Sequence, residues 1–168
     1  MLGRGLAVAV LTAILDYLSK AAVVAHFGTS CLCRPAREHV AAFLDLVLTC
    51  NAGISFGILN RTGVNALFFS LAAVVIIIVL LVWLLRVRTS FLAIAIGLII
   101  GGAAGNVADR LRFGAVVDFL YFHAGSWYWP AFNLADSAIC LGVAAMLLDG
   151  LLLRRATAQA KGREDLSP

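Results

Sequence analysis

Two aspartates lie in apolar stretches where their charges have no local partner. Asp118 is in "AVVDFLYF" and Asp136 is in "FNLADSAI", and neither has a basic residue at helical spacing toward its own apolar segment. Two carboxylates held close together cannot both ionise cheaply, so one of them keeps a proton. Such a pair can take a proton from water and return one to a reacting carbonyl or a leaving amine. We therefore treat Asp118 and Asp136 as a candidate dyad for hydrolysis.

A structural explanation of both residues stays open from the sequence alone. Asp136 would cap the helix that it opens, because a carboxylate near a helix N-terminus is stabilising by about 0.3–1 kcal/mol, and Asp118 would occupy a turn. The dyad requires residues far apart along the chain to meet. If they do, Asn51, Asn106 and Asn133 are suited to supply hydrogen bonds without adding charge.

The composition assigns these residues to a membrane protein. Of the 168 residues 62% are hydrophobic and 13% are charged, the latter about half of the share in soluble domains. A membrane span needs roughly 20 apolar residues, so the chain has room for about four. The apolar segments cover residues 5–27, 64–85, 91–108 and 131–153. We expect a single four-helix domain over residues 1–155, followed by a polar, disordered cytoplasmic tail over residues 156–168.

Basic residues beside the spans predict the orientation in the membrane. Arg4, Arg86, Arg88, Arg154 and Arg155 flank span ends, which by the positive-inside rule places both termini in the cytoplasm. The longer connections then lie outside, together with most of the short polar stretches. The net charge of +4 is not gathered into a basic groove, so nucleic acid is not an expected partner.

Glycines and charges within the spans predict how the helices pack. Gly97, Gly101 and Gly105 share one helix face that lets a neighbouring backbone approach closely, and Asp109 continues that face. Asp109 and Arg110 are adjacent, so they point about 100° apart on a helix and each needs a partner on another helix or loop.

A charged pair lies deeper, at about the middle of the first span. Asp16 and Lys20 have i, i+4 spacing on one helix face, so the two charges are expected to neutralise each other locally. Its expected role is structural support.

The cysteines and histidines predict neither a disulfide framework nor a metal site. Cys31 and Cys33 form a C-x-C pair without the second pair that a zinc site needs, and Cys140 lies in an apolar helix as a small hydrophobe. The three histidines are scattered along the chain: His26, His39 and His123.

Four motifs, in order along the chain, resemble those of the lipoprotein signal peptidase family, also called signal peptidase II. They are "DYLSK", "NAGISF", "GGAAGNVADRLRFGAVVDF" and "FNLADSAI", and they span residues 16–139. Each motif alone is weak, but their order and spacing together are specific. The resemblance implies an α-helical integral membrane protein with four transmembrane helices and a small β-rich extracytoplasmic platform.

The resemblance also implies an activity, that of a metal-free and cofactor-free aspartic endopeptidase of the bacterial cytoplasmic (inner) membrane. Such enzymes remove signal peptides from prolipoproteins by cutting before a diacylglyceryl-modified cysteine. The expected partners are these substrates and membrane lipid, with the enzyme a monomer and its active site near the outer leaflet. The family's catalytic pair falls on Asp118 and Asp136. The residues expected around it are Asp16, Lys20, Asn51, Gly53, Asn106, Asp109, Arg110, Asn133 and Ala135.

Three other interpretations compete with this one. A small transporter would relay protons through intramembrane carboxylates, but only Asp16 is deep and the chain has no internal repeat. A membrane assembly factor would use its polar residues only to hold loops together. The stretch "LVLTC", which ends at Cys50, faintly resembles the cleavage motif of a lipoprotein substrate, but Thr49 is larger than the residue expected there.

Overall fold

The chain forms four long helices and a small sheet. The computed structural model describes residues 1–28, 36–51 and 64–164, with residues 64–65 and 152–164 described by backbone alone. The helices are α1 (Leu2–Phe27), α2 (Val64–Leu84), α3 (Ser90–Phe113) and α4 (Leu134–Glu164), and the strands are β1 (Ala36–Ala41), β2 (Leu44–Asn51), β3 (Val116–Ala124) and β4 (Trp127–Tyr128). Each helix contains a stretch long and apolar enough to cross a membrane. The predicted fold class is confirmed.

Helix α3 is the centre of the bundle. Its most apolar stretch is 67% buried, against 28% or less in the other three helices. Thr89 caps its start by accepting the backbone N–H of Leu92 at 3.3 Å. The helix ends at Gly114, whose φ of 72° is in the left-handed region that favours glycine, so the chain turns there and enters β3 directly.

The glycine face of α3 packs against α1, as the spacing predicts. A Cβ atom added at Gly97 would stand 2.4 Å from the carbonyl oxygen of Gly5, and one at Gly101 would stand 2.4 Å from that of Ala9. No side chain larger than hydrogen fits at such distances. The glycines therefore set the separation of the two helices, which brings the polar residues at their ends together.

The four strands form one antiparallel layer in the order β1-β2-β3-β4. One face carries Leu48 of β2 with Val117 and Phe119 of β3, which pack with Val23 of α1 in a buried apolar cluster. Since Val23 lies near the C-terminal end of α1, the sheet rests on that end of the bundle. This sheet is the expected β-rich platform.

A short backbone bridge joins the start of α4 to the middle of β3. Phe132 and Leu120 exchange backbone hydrogen bonds of 2.9 and 3.0 Å, and the carbonyl of Phe132 also accepts the N–H of Phe119 at 3.0 Å. The bridge brings Asn133, the residue after Phe132, beside strand β3. This pairing brings the two distant segments of the candidate dyad together.

Helix α4 continues to Glu164, over residues for which the composition predicts a disordered tail. The part apolar enough to span a membrane ends at Leu151. Alanine, arginine, glutamine and lysine dominate the next residues, and all four have high helix propensity, so an existing helix extends through them.

Candidate active site

The first turn of α4 is closed by a reciprocal cap between Asn133 and Asp136. The backbone N–H of Asp136 donates to Oδ1 of Asn133 at 2.9 Å, and the backbone N–H of Asn133 donates to Oδ2 of Asp136 at 3.3 Å. This arrangement is a capping box in which Asp takes the place of Glu or Gln. Asp136 therefore does cap its helix, but its other oxygen, Oδ1, accepts Nδ2 of Asn106 at 2.8 Å. The cap therefore uses only one of the two carboxylate oxygens of Asp136.

Asp118 is the second carboxylate of the site and lies within strand β3, not in a turn. Asp118 is 3% exposed to solvent. Oδ1 accepts Nδ2 of Asn133 at 2.8 Å, and Oδ2 accepts Nδ2 of Asn51 at 3.2 Å. Asn51 ends strand β2, and Asp118 is paired with Thr49, two residues earlier on the same face of β2. The sheet therefore presents Asn51 to Asp118.

Asn133 connects the two candidate catalytic residues. Its carboxamide donates to Asp118 and accepts from the backbone of Asp136, and the residue is fully buried. The same amide nitrogen lies 3.3 Å from Oδ1 of Asn106 and 3.3 Å from the carbonyl oxygen of Val117. The three asparagines thus supply neutral hydrogen bonds to the carboxylates, as the sequence predicts.

Burial and charge act together on Asp118. Burial raises the pKa of this carboxyl, the neighbouring negative charge of Asp136 raises it further, and the hydrogen bonds from Asn51 and Asn133 lower it in part, leaving the pKa at about 7. A carboxyl with such a pKa holds a proton over part of the neutral range. That is a property an acid–base catalyst needs.

Lys20 neutralises a different pair of carboxylates. Its Nζ lies 2.7 Å from Oδ2 of Asp16 and 2.8 Å from Oδ2 of Asp109, and it donates to Oδ1 of Asn106 at 3.2 Å. The predicted Asp16–Lys20 pair is confirmed, and Asp109 finds its partner on another helix, as expected. All three charged residues are buried.

Asp16 and Asp109 also hold the backbone around the site. Oδ1 of Asp16 accepts the N–H of Ala135 at 2.9 Å, in the first turn of α4, and Oδ2 of Asp109 accepts the N–H of Val117 at 3.1 Å, beside Asp118. Asp16 and Asp109, both paired with Lys20, therefore hold the two backbone segments that carry the dyad.

The two groups of carboxylates differ in their charge balance. Asp16 and Asp109 share the ammonium of Lys20, whereas no basic side chain among residues 1–28, 36–51 and 66–151 forms an ion pair with Asp118 or Asp136. In the described part of the chain, the hydrogen bonds to these two carboxylates come from asparagine amides and one backbone N–H. This contrast separates the candidate chemistry from structural support.

Arg110 lies on α3, one turn after Asn106 and beside the dyad. Nη1 donates to the carbonyl of Asn106 on its own helix at 3.3 Å, and the guanidinium lies 5.9 Å from the ring centroid of Phe69 in α2. Within the described part of the chain, its buried Nε has no hydrogen-bond partner. Arg110 and Asn106 line an apolar cavity of ≈ 300 Å³ between α2, α3 and α4.

Some predicted residues lie outside the described structure. Gly53 of the predicted site, and Cys31 and Cys33, are among them. Cys50 is disulfide-bonded, contrary to the expectation that the cysteines form no framework. Sequence spacing alone did not predict this disulfide, because it gives no distances between residues that are far apart along the chain. Cys140 is a free cysteine exposed on α4.

Two of the three histidines, which are far apart along the sequence, meet in a cluster on the platform. The rings of His39 and His123 stack with centroids 5.5 Å apart, and both rings contact the carboxylate of Asp45. His39 and Asp45 are directly paired across the β1–β2 hairpin. The alternating pattern of a hairpin around "VAAFL" was the available signal, and it indicates that these two residues face each other.

Comparison with known proteins identifies the family. The chain matches the signal peptidase (SPase) II family over residues 8–152. It is 41% identical over 149 residues to the lipoprotein signal peptidase of Methylorubrum extorquens (strain PA1), covering 88% of this chain and 85% of that protein. It is 43% identical over 153 residues to the lipoprotein signal peptidase of Rhodopseudomonas palustris (strain TIE-1), covering 88% and 92%. A bacterial membrane enzyme solved by the in meso method at 1.9 Å resolution is 29% identical, with a TM-score of 0.74 over 89% of this chain and 93% of the solved chain. The chain therefore belongs to the signal peptidase II family and is a multi-pass bacterial membrane peptidase.

Proposed function

We propose that this chain is an aspartic endopeptidase that hydrolyses prolipoproteins at the bond before the diacylglyceryl-modified cysteine. The observation that carries the proposal is the linkage of Asp118 and Asp136 through the carboxamide of Asn133, without a cation on either carboxylate in the described structure. Family membership supports a peptidase that acts on prolipoproteins.

The proposed reaction uses one carboxylate as a base and the other carboxyl as an acid. The base takes a proton from water, whose oxygen bonds to the carbonyl carbon before the modified cysteine. The acid gives its proton as the carbon–nitrogen bond breaks, so the amine of the cysteine leaves neutral. Proton transfer of this kind contributes typically ~10²–10⁴-fold per step. The raised pKa of Asp118 makes it the better candidate for the group that carries the proton.

The cavity beside Asn106 provides a place for the apolar part of the substrate. It measures ≈ 300 Å³, and its walls are apolar side chains of α2, α3 and α4, with Arg110 at one side. An acyl chain or the apolar side chains of a signal peptide would lie there at the level of the dyad, because Asn106 lines the cavity and also donates to Asp136. Binding energy from these remote groups would hold the reacting bond in place.

The proposed setting is the inner membrane, with the sheet and the dyad on the outer side and both termini in the cytoplasm. Arg4, Arg86 and Arg88 lie at the helix ends opposite to the sheet. A fluorescent reporter that folds only in the cytoplasm, fused after Pro168, should be active. An inactive fusion at normal protein abundance would indicate the opposite orientation. The catalytic unit is proposed to be the single domain of residues 1–155, acting as a monomer.

The decisive experiment is a cleavage assay with purified full-length protein in detergent or lipid. A prolipoprotein is presented with and without its diacylglyceryl group, and wild type is compared with Asp118→Asn, Asp136→Asn and the control Asp149→Asn. Asp149 lies on α4, outside the site, so its variant makes the same chemical change at a distance from the dyad. Each variant is first checked for a cooperative thermal transition.

We expect wild type and Asp149→Asn to cut only the lipidated substrate and to do so equally well in the presence of a chelator. Both dyad variants should lose at least about 10²-fold in rate, in line with the loss of an acid–base group. Full activity in a folded Asp118→Asn or Asp136→Asn variant would exclude the dyad. Cleavage of the unlipidated substrate at the same rate would exclude the proposed substrate class.

A further inference from the structure

Three side chains on the platform bring ligand atoms together away from the dyad. Nδ1 of His39, Oδ1 of Asp45 and Nε2 of His123 all lie within 4.8 Å of one another. The contacts to Oδ1 of Asp45 measure 2.5 Å from His39 and 3.1 Å from His123. Each residue comes from a different strand, β1, β2 and β3, so the sheet itself sets their positions.

The donor set is that of a borderline transition metal. Two imidazole nitrogens and one carboxylate oxygen match the ligands of Zn²⁺, Cu²⁺ and Ni²⁺, whereas Mg²⁺ and Ca²⁺ prefer oxygen alone. The side chain of Asp45 is fully buried, that of His123 is 17% exposed and that of His39 is 67% exposed. The cluster is therefore held on its inner side and open to solvent on the other, where water would complete the coordination.

Arg37 orients the carboxylate. Its Nε donates to Oδ2 of Asp45, which leaves Oδ1 as the oxygen that faces both histidines. The guanidinium lies 4.9 Å from the ring centroid of Tyr121, which keeps it in place. Hydrogen bonds from such neighbours fix the orientation of metal ligands.

We propose that His39, Asp45 and His123 form a binding site for a divalent transition-metal ion, with Zn²⁺ as the representative. With bonds of about 2.0–2.1 Å in tetrahedral geometry, neighbouring ligand atoms stand roughly 3.3 Å apart. The His39 nitrogen must therefore move away from Asp45 by less than about 1 Å. His39 is free to do so, because it is exposed on the outermost strand and the pairing of β1 shifts register directly after it.

The site is peripheral to hydrolysis. No residue of the cluster contacts Asp118 or Asp136 through any described hydrogen bond, and the ion would bridge the three strands of the platform. The single carboxylate is already paired with Arg37, so the net charge favours a cation less than an all-anionic site would. We therefore expect micromolar rather than nanomolar affinity.

The test is a Zn²⁺ titration of the full-length protein in detergent, without a histidine tag, by competition with a chromophoric chelator at neutral pH. All proteins carry Cys140→Ser, which removes the one free thiol found among the described residues. The variants are His39→Gln and His123→Gln, and the control is His26→Gln. His26 is also a histidine paired with a carboxylate, that of Glu38, but without a second imidazole.

The parent and His26→Gln should bind one Zn²⁺, and each of the other two variants should bind at least about 10-fold more weakly. Cu²⁺ should give an electron paramagnetic resonance spectrum with two nitrogen ligands in the parent and one in His39→Gln. No stoichiometric binding by the parent would overturn the proposal and leave the cluster as a hydrogen-bonded contact between strands. Equal affinity in His39→Gln would overturn it as well. Because the side chain of His39 is exposed, misfolding would not explain a loss of binding in that variant.

Discussion

Gly105 of α3 lies directly against the carboxylate of Asp16 in α1. A Cβ atom added at Gly105 would stand 2.4 Å from Oδ2 of Asp16, the oxygen that binds Lys20. The other oxygen of Asp16 holds the backbone of Ala135 at the start of α4. The absence of a side chain at Gly105 thus allows Asp16 to keep its hydrogen bond to α4, the helix that carries Asp136.

The first prediction is that Gly105→Ala disturbs the site without touching the dyad. Overpacking of this kind costs typically about 1–3 kcal/mol, and the displaced Asp16 releases the N–H of Ala135. We expect a lower apparent melting temperature and a lower cleavage rate. Gly150→Ala is the control, since nothing lies within 4 Å of the added atom. Equal melting temperatures and equal cleavage rates in the two variants would contradict the prediction, because they would mean that α1 and α3 can move apart at Gly105 without cost.

The second prediction concerns Lys20, whose replacement by Met leaves Asp16 and Asp109 buried without their cation. Removing one partner from a buried ion pair costs about 3–5 kcal/mol. Lys20→Met should therefore lose much of its thermal stability in detergent, whereas the exposed Arg88→Met should not. Adding Asp109→Asn to Lys20→Met should restore part of the loss, because one uncompensated carboxylate is removed. A double variant no more stable than the single one would argue against charge as the cause.

The third prediction is a pH dependence of cleavage. If Asp118 carries the proton of the dyad, kcat/KM should fall as the pH rises through about 7. Asn51 donates to Oδ2 of Asp118 and so stabilises its charged form. Asn51→Ala should raise the pKa of Asp118 and move the alkaline limb to higher pH, even if the maximal rate falls. A limb that stays in place or moves to lower pH would assign the proton to another group.

The fourth prediction concerns stability. The pKa of Asp118 is raised from 3.8 to about 7 in the folded protein, so between these values the folded state holds a proton that the unfolded state releases. This contribution is fully present below about pH 4 and is lost as the pH rises through about 7, up to about 4 kcal/mol. The melting temperature of wild type should fall relative to Asp118→Asn between these limits. Parallel curves for the two proteins would show that Asp118 has no raised pKa.

Much of the positioning was predictable because it follows from local spacing. The four-residue repeat of Gly97, Gly101 and Gly105 predicts close contact with another helix, and the i, i+4 spacing of Asp16 and Lys20 predicts their ion pair. Both are properties of a single helix, which periodicity alone describes. The four motifs also predicted the family, because their residues and their order are read directly from the sequence.

Long-range pairing was not predictable from spacing. The meeting of Asp118 and Asp136 depends on the backbone bridge between Leu120 and Phe132, whose side chains carry no signal for it. The Asp45 cluster depends on three strands in a particular register. The pairing of Asp109 with Lys20 likewise requires the separation of α1 and α3, which only the packed glycines define.

The bond between Asp16 and Ala135 also has a consequence for biosynthesis. The ribosome delivers α1 to the membrane long before α4 exists, and throughout that interval Lys20 on the same helix keeps Asp16 in a locally compensated pair. Ala135 becomes available to Asp16 only when the last helix is inserted. On the proposed mechanism, a chain translated only as far as Asp118 lacks Asp136 and cannot hydrolyse its substrates before α4 is in place.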